Sequence, residues 1–296
     1  MKISFEVRVR LELVAAALLF STGGAAIKAC SLGAWPLASV RSAIAAVALL
    51  CFLPEARRGW TWRAAVTGVA YASTLITFVV ANKLGPAANA IFLQATAPVY
   101  LLFLGPLILK EKAGLRDLGV FGCVGTGIVL LLMGSGTGVA ASAPANVVGL
   151  LSGVSWALLL VGLRWLAKTG GKMGNSGTAE ASVTIGNLLA CVVCLPVAGG
   201  EIVGAAEPKN AALLLYLGIF QIGLAYALVV RSVRRVSAFE AAALLLLEPV
   251  FNPIWAWLAQ GEKPTPLVVA GGAAILAGAL GGTAGRSAQR RAAAEV

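Results

Sequence analysis

Leu118-Gly119-Val120-Phe121-Gly122-Cys123-Val124-Gly125-Thr126-Gly127-Ile128-Val129-Leu130-Leu131-Leu132-Met133 carries no charge along its whole length. A second run, residues 267–280, has the same character. Roughly twenty predominantly apolar residues cross a bilayer core of about 30 Å as a helix, and several such runs in one chain make a bundle. In lipid each span has to satisfy its own backbone polar groups, which makes the spans helices. Composition agrees. Of 296 residues, 59% are hydrophobic and 12% charged, with a mean hydropathy of +0.90, too little polar surface for a water-soluble globule.

The net charge of +11 suggests nucleic acid in a soluble protein. Here the basic residues fall at span ends, which points to control of topology, with the lipid bilayer and not nucleic acid as partner. The chain has no His, which removes the commonest general base and metal ligand and argues against metal or His-dependent catalysis. Its five cysteines, Cys30, Cys51, Cys123, Cys191 and Cys194, lie in or beside apolar spans. Cys191 and Cys194 form a C-x-x-C pair, but no nearby charge stabilises a thiolate, so they read as small packing residues. Residues 1–10 followed by an apolar stretch resemble a signal peptide. Lys28 interrupts the cleavage site, and the segment reads as the first span.

Ten spans are expected, at about 11–31, 35–53, 62–83, 86–109, 117–134, 147–168, 180–198, 211–231, 237–259 and 265–284. The Gly134-Ser135-Gly136-Thr137-Gly138 stretch lacks the strand–turn–helix setting of a phosphate loop and reads as a connector. With the N-terminus in the cytoplasm, 18 Lys and Arg residues fall on the inner side and only Lys83, Lys209 and Lys263 on the outer. Lys28 and Arg41 lie within spans, where they snorkel or pair with a carboxylate. The positive-inside rule then places both termini in the cytoplasm and favours an even count.

Ala97-Pro98-Val99-Tyr100 matches Glu248-Pro249-Val250-Phe251 at an offset of 151 residues. At the same offset Glu111-Lys112 matches Glu262-Lys263, and Gly127 and Gly134 match Gly278 and Gly285. Each half, residues 1–146 and 147–296, therefore holds five spans. Five is odd, so the second half enters the membrane from the opposite side. Inverted repeats characterise secondary transporters, whose site lies near the midplane between the halves.

These residues resemble the drug/metabolite transporter superfamily, in particular its EamA-type members with ten spans. The likeness rests on Leu247-Glu248-Pro249-Val250-Phe251 running into Gly261-Glu262-Lys263, and on its degenerate partner Thr96-Ala97-Pro98-Val99-Tyr100 running into Lys110-Glu111-Lys112. Ser155-Trp156-Ala157 and the Gly271–Gly278 stretch also look like the family. Within it the chain is most similar to bacterial amino-acid exporters of the YddG type. The resemblance implies an all-α integral membrane fold, two inverted five-helix repeats around a central cavity, with helices 5 and 10 peripheral. It also implies a multi-pass protein of the bacterial inner membrane, as a monomer or homodimer, with no cofactor.

Polar and aromatic residues deep in spans are the candidate substrate contacts. Tyr71, Thr74, Phe78 and Asn82 share one helical face. In the fourth span Asn89, Thr96 and Tyr100 share a face, with Gln94 displaced from it. Phe20, Trp156 and, in the eighth span, Tyr216, Phe220, Gln221 and Tyr226 complete an aromatic set with amides, suited to a zwitterion with an apolar side chain. Each is equally compatible with packing between helices. Glu248 stands apart, because a bare carboxylate in mid-membrane costs several kcal/mol. It either couples protons, binds the substrate's amino group, or caps backbone freed by Pro249. Pro98 and Pro249 read as paired helix breaks that let helix ends swing during alternating access.

The leading expectation is therefore a secondary transporter exporting apolar amino acids or related small metabolites. Drug, nucleotide-sugar or lipid-precursor transport on the same fold is the alternative. A lipid-processing enzyme would need a convergent catalytic set that the sequence lacks. A channel would usually present charged or carbonyl-lined rings.

Overall fold

The computed structural model describes residues 5–85, 87–110, 114–134, 142–170, 177–251, 254–255 and 265–278. Among these every regular element is helical. In chain order they are α1 (Phe5–Ser21), α2 (Gly23–Ala29), α3 (Ala34–Phe52), α4 (Trp62–Leu84), α5 (Ala87–Gln94), α6 (Ala97–Leu104), α7 (Leu115–Gly134) and α8 (Ala143–Gly170). There follow α9 (Thr178–Ala198), α10 (Pro208–Tyr216), α11 (Ala225–Val233), α12 (Ala238–Leu245) and α13 (Pro266–Gly278). Among the described residues, seven helical stretches are long and apolar enough to cross a membrane, and two shorter apolar ones, Leu118–Leu130 and Pro266–Gly278, join them. The expected ninth span opens with α12, and its course over 256–259 lies outside the described residues. So do the Glu111-Lys112 and Glu262-Lys263 matches, Gly285, and the connector beyond Gly134.

Four of the expected spans are not single straight helices. The first breaks at Thr22, between α1 and α2. The eighth widens into a π-helical stretch, Leu217–Leu224, between α10 and α11. The fourth and ninth break just before their prolines, so the face drawn through Asn89, Thr96 and Tyr100 on a continuous helix does not exist. Proline explains the breaks, because it has no N–H for the carbonyl four residues back. The two breaks are alike bond for bond. Ala95 N donates to Ile91 O, Thr96 N to Leu93 O and Val99 N to Thr96 O. At the 151-residue offset, Leu246 N donates to Ala242 O, Leu247 N to Leu244 O and Val250 N to Leu247 O. The repeat read from side chains is thus also a repeat of backbone irregularity.

Packing shows the same symmetry. α7 lies antiparallel to α13, and a Cβ on Gly127 would stand 2.6 Å from Ile275 Cγ1 and 2.7 Å from Gly271 O. One on Gly278 would meet Val124 Cγ2 at 2.9 Å and Val120 O at 3.3 Å. Val120 and Val124 are the 151-offset equivalents of Gly271 and Ile275, so the contact is reciprocal. Cys123 Sγ donates to the carbonyl of Ala274, its own equivalent, at 3.2 Å. A two-fold perpendicular to antiparallel helices produces this pattern, as two inverted halves require. Leu at Gly127 or at Gly278 is therefore expected to cost about 1–3 kcal/mol by overpacking, with similar losses at the two sites. Thermal unfolding in detergent checks it; a loss at one site alone contradicts the reciprocity.

The outside is apolar, and small polar side chains share the inside with an aliphatic core. Val47, Val69, Phe103, Leu107 and Val192 are exposed, whereas Ser39, Ser42, Thr67, Asn82, Ser152, Ser182, Thr184 and Asn187 are buried between helices. That distribution suits a bundle in lipid, where small and polar side chains let helices approach closely.

The ends of the bundle differ in charge. At one end Arg10 pairs with Glu240 at 3.1 Å and Arg234 pairs with Glu180. There too Arg231 donates to Phe52 O, Arg164 to Val233 O and Lys168 to Leu109 O. The opposite end holds Lys83, donating to Cys30 O, and Asn210, whose amide donates to Glu207 and Ser31. The connection after α3 lies at the basic end. Its counterpart after α9, Gly199–Ala206, lies at the other.

Candidate functional site

Two adjoining cavities occupy the middle of the bundle. The first is lined by Phe20, Arg41, Thr74, Leu75, Phe78, Gln94, Trp156, Gln221, Ile222, Tyr226 and Glu248. The second is lined by Ile91, Gln94, Ala95, Ala97, Pro98, Trp156, Ala242, Leu245, Leu246, Glu248 and Pro249. Apart from Trp156, the second lining consists of five pairs related by the 151-residue offset: Ile91 with Ala242, Gln94 with Leu245, Ala95 with Leu246, Ala97 with Glu248, and Pro98 with Pro249. The broken helices of the two halves therefore face each other across it. Gln94, Trp156 and Glu248 belong to both cavities.

The first cavity gathers Phe20, Thr74, Phe78, Gln94, Trp156, Gln221, Tyr226 and Glu248 from among the candidate contacts. Thr74 and Phe78 reach it from the buried face of α4, which also carries Tyr71 and Asn82. Phe20 meets Trp156 edge-on at 6.0 Å and Tyr226 at 5.0 Å, so three rings from three spans form one wall. Gln94 donates to Ser152 Oγ at 2.8 Å, which fixes the amide beside Trp156. Gln221 sits in the π-helical widening of the eighth span, a distortion often found at functional sites. Its side chain packs onto Gly23, where a Cβ would stand only 2.6 Å from the Gln221 amide nitrogen. Glycine at this point is what lets the α1–α2 break approach the eighth span.

Other candidates lie elsewhere. Tyr71 is fully buried behind the wall, its ring 4.3 Å from that of Tyr226. Tyr216 shares a 2.7 Å hydrogen bond with Thr22 and stacks on Phe220, which is 47% exposed, so that face of the eighth span points away from the cavity. Asn89 belongs to α5, and its side chain lies outside the described part.

Two charged groups enter the first cavity. Glu248 makes no hydrogen bond or ion pair among the described residues, so capping of backbone freed by Pro249 does not account for it. Among the described residues Arg41 neither snorkels nor pairs with a carboxylate: it is 1% exposed, donates from Nη2 to Leu75 O at 3.1 Å, and has no described partner for Nε and Nη1. Of the lining residues, Arg41, Leu75 and Ile222 stand outside the candidate set, and Arg41 is the polar one. Arg41, lying in a span of otherwise apolar and small residues, gave only its charge as a signal.

No curated protein sequence matches the chain. Among solved structures, the crystal structure of a protein with 18% sequence identity superposes with a TM-score of 0.74, covering 93% of this chain and 96% of its own. At that identity the likeness shows the fold alone. The profile of the EamA-like transporter family matches residues 11–133 and again 143–282, nearly the whole length. The chain belongs to the EamA-like transporter family, membrane transporters of the drug/metabolite type.

Proposed function

We propose that the protein is a secondary transporter, most similar to the YddG-type exporters, that moves apolar or aromatic amino acids out of a bacterial cell by alternating access. In this reading residues 1–146 and 147–296 are the two inverted halves, ten spans cross the inner membrane, and both termini are cytoplasmic. The basic end of the bundle supports that orientation, since Lys and Arg are retained on the inner side.

The observation that carries the reading is Glu248, a carboxylate without a described partner, set among Phe20, Phe78, Trp156 and Tyr226. A carboxylate lining a largely apolar cavity without a partner is costly, so the site favours whatever supplies a cation. An α-ammonium group does this while the aromatic walls accept an apolar side chain. Thr74 and Gln94 supply the remaining hydrogen-bonding groups.

Flux tests it. Purified protein in proteoliposomes preloaded with a panel of labelled amino acids is expected to exchange phenylalanine, tryptophan or leucine at least tenfold faster than protein-free vesicles. Background flux for the whole panel overturns the amino-acid reading and moves weight to nucleotide-sugar, drug or lipid-precursor substrates.

A further inference from the structure

We infer that Arg41 is the anion-binding residue of the cavity and holds the carboxylate of the transported molecule, so that the substrate class is the intact zwitterion. The inference rests on the proposed amino-acid reading. Arginine presents five donors in a planar fork matched to a carboxylate, and it stays charged even where water is scarce. Here one nitrogen is used, by Leu75 O, and that bond holds the guanidinium at the cavity wall. Nε and Nη1 are buried and have no acceptor among the described residues.

Buried polar groups are almost always satisfied, and a charged donor left unsatisfied carries a larger penalty than a neutral one. Glu248 lines the same cavity, yet no ion pair joins the two among the described residues. Each charge is therefore free to meet a group brought in from outside. The two come from opposite halves, Arg41 from α3 and Glu248 from the ninth span. A molecule carrying both a carboxylate and an ammonium group links the halves, whereas one carrying a single charge leaves the other buried and unmatched. Gln221 Oε1, also without a partner among the described residues, lines the same cavity and is a second acceptor for the ammonium group.

Phenylalanine, 2-phenylethylamine and 3-phenylpropionate share one side chain and differ only in charge, so they read this arrangement directly. In proteoliposomes the wild-type protein is expected to exchange phenylalanine about 100-fold better than 2-phenylethylamine, as loss of a charge-assisted hydrogen bond implies. Arg41→Gln is expected to lower phenylalanine flux to the level of the amine and leave amine flux within about threefold. Arg41→Lys restores roughly a tenth of the wild-type rate.

Equal wild-type flux of amino acid and amine overturns the inference without any variant, so poor folding of Arg41→Gln does not shelter it. A fall of both fluxes by the same factor in well-folded Arg41→Gln also overturns it, by showing a structural role alone. If the wild type moves none of the three compounds, the amino-acid reading fails. Arg41 is then judged by 3-phenylpropionate binding to Glu248→Gln protein, measured as thermal stabilisation. Loss of that binding in Glu248→Gln/Arg41→Gln upholds the anion site, and its persistence or initial absence rejects it.

Discussion

Replacing Glu248 with Gln is expected to reduce amino-acid exchange in proteoliposomes about 100-fold while leaving the protein as stable as before or slightly more so. The side chains are nearly isosteric, so the shape of the cavity they share with Phe20, Trp156 and Tyr226 survives. What is removed is a carboxylate without a described partner, and its removal relieves the folded protein of a desolvated charge. The substrate's ammonium group loses a charge-assisted hydrogen bond of about 1.5–3 kcal/mol, corresponding to roughly 10- to 150-fold. The divergence of flux and stability is the signature. A flux within threefold of wild type removes Glu248 from the site. A large fall in melting temperature makes it a structural residue instead. The equivalent position in the first half is Ala97, buried and uncharged, so the halves share a backbone but divide the chemistry between them.

Restoring continuous helix at the two breaks is the second large effect. Pro98 and Pro249 face each other across the second cavity, each following the same interrupted hydrogen bonds. With alanine at both positions, N–H groups become available to Gln94 O and Leu245 O, and the i to i−4 ladder can close. The double variant Pro98→Ala/Pro249→Ala is expected to exchange substrate about tenfold more slowly, with binding affinity changed by less than about threefold. Hinges that absorb backbone change in alternating access set rates more than affinities. Each single variant is expected to lie between the double variant and wild type. Unchanged rates in the double variant would falsify the hinge role.

Much of this architecture was legible because apolar length and charge placement leave few alternatives in lipid. The offset between Pro98 and Pro249, visible as a repeated Pro-Val-aromatic, predicted the paired helix breaks. The 3.6-residue spacing of Tyr71, Thr74, Phe78 and Asn82 identified the buried face of α4. Where the helices depart from ideal geometry, periodicity misled. Thr96 and Tyr100 were assigned one face with Asn89 on a helix that is in fact interrupted at Ala95-Thr96. Tyr216 was chosen for its chemistry, but its neighbour one turn on, Phe220, points outward, and the intervening π-helical widening directs Gln221 and Tyr226 inward instead. Arg41 was missed because a lone arginine in a span has several outcomes. Only the three-dimensional fold distinguishes snorkelling, pairing and a cavity wall.

The account depends most on two halves inserted in opposite senses, because the reciprocal Gly127–Gly278 contact, the paired prolines and the shared cavity all follow from it. The equivalent connections after α3 and after α9 must then lie on opposite faces of the membrane. Arg58 and Lys209, both exposed, mark them. In a background with the native cysteines replaced, Arg58→Cys and Lys209→Cys are treated with a membrane-impermeant maleimide on intact spheroplasts and again after permeabilisation. The account predicts that Lys209→Cys reacts on intact spheroplasts and Arg58→Cys only after permeabilisation. Labelling of both from the same side would contradict it.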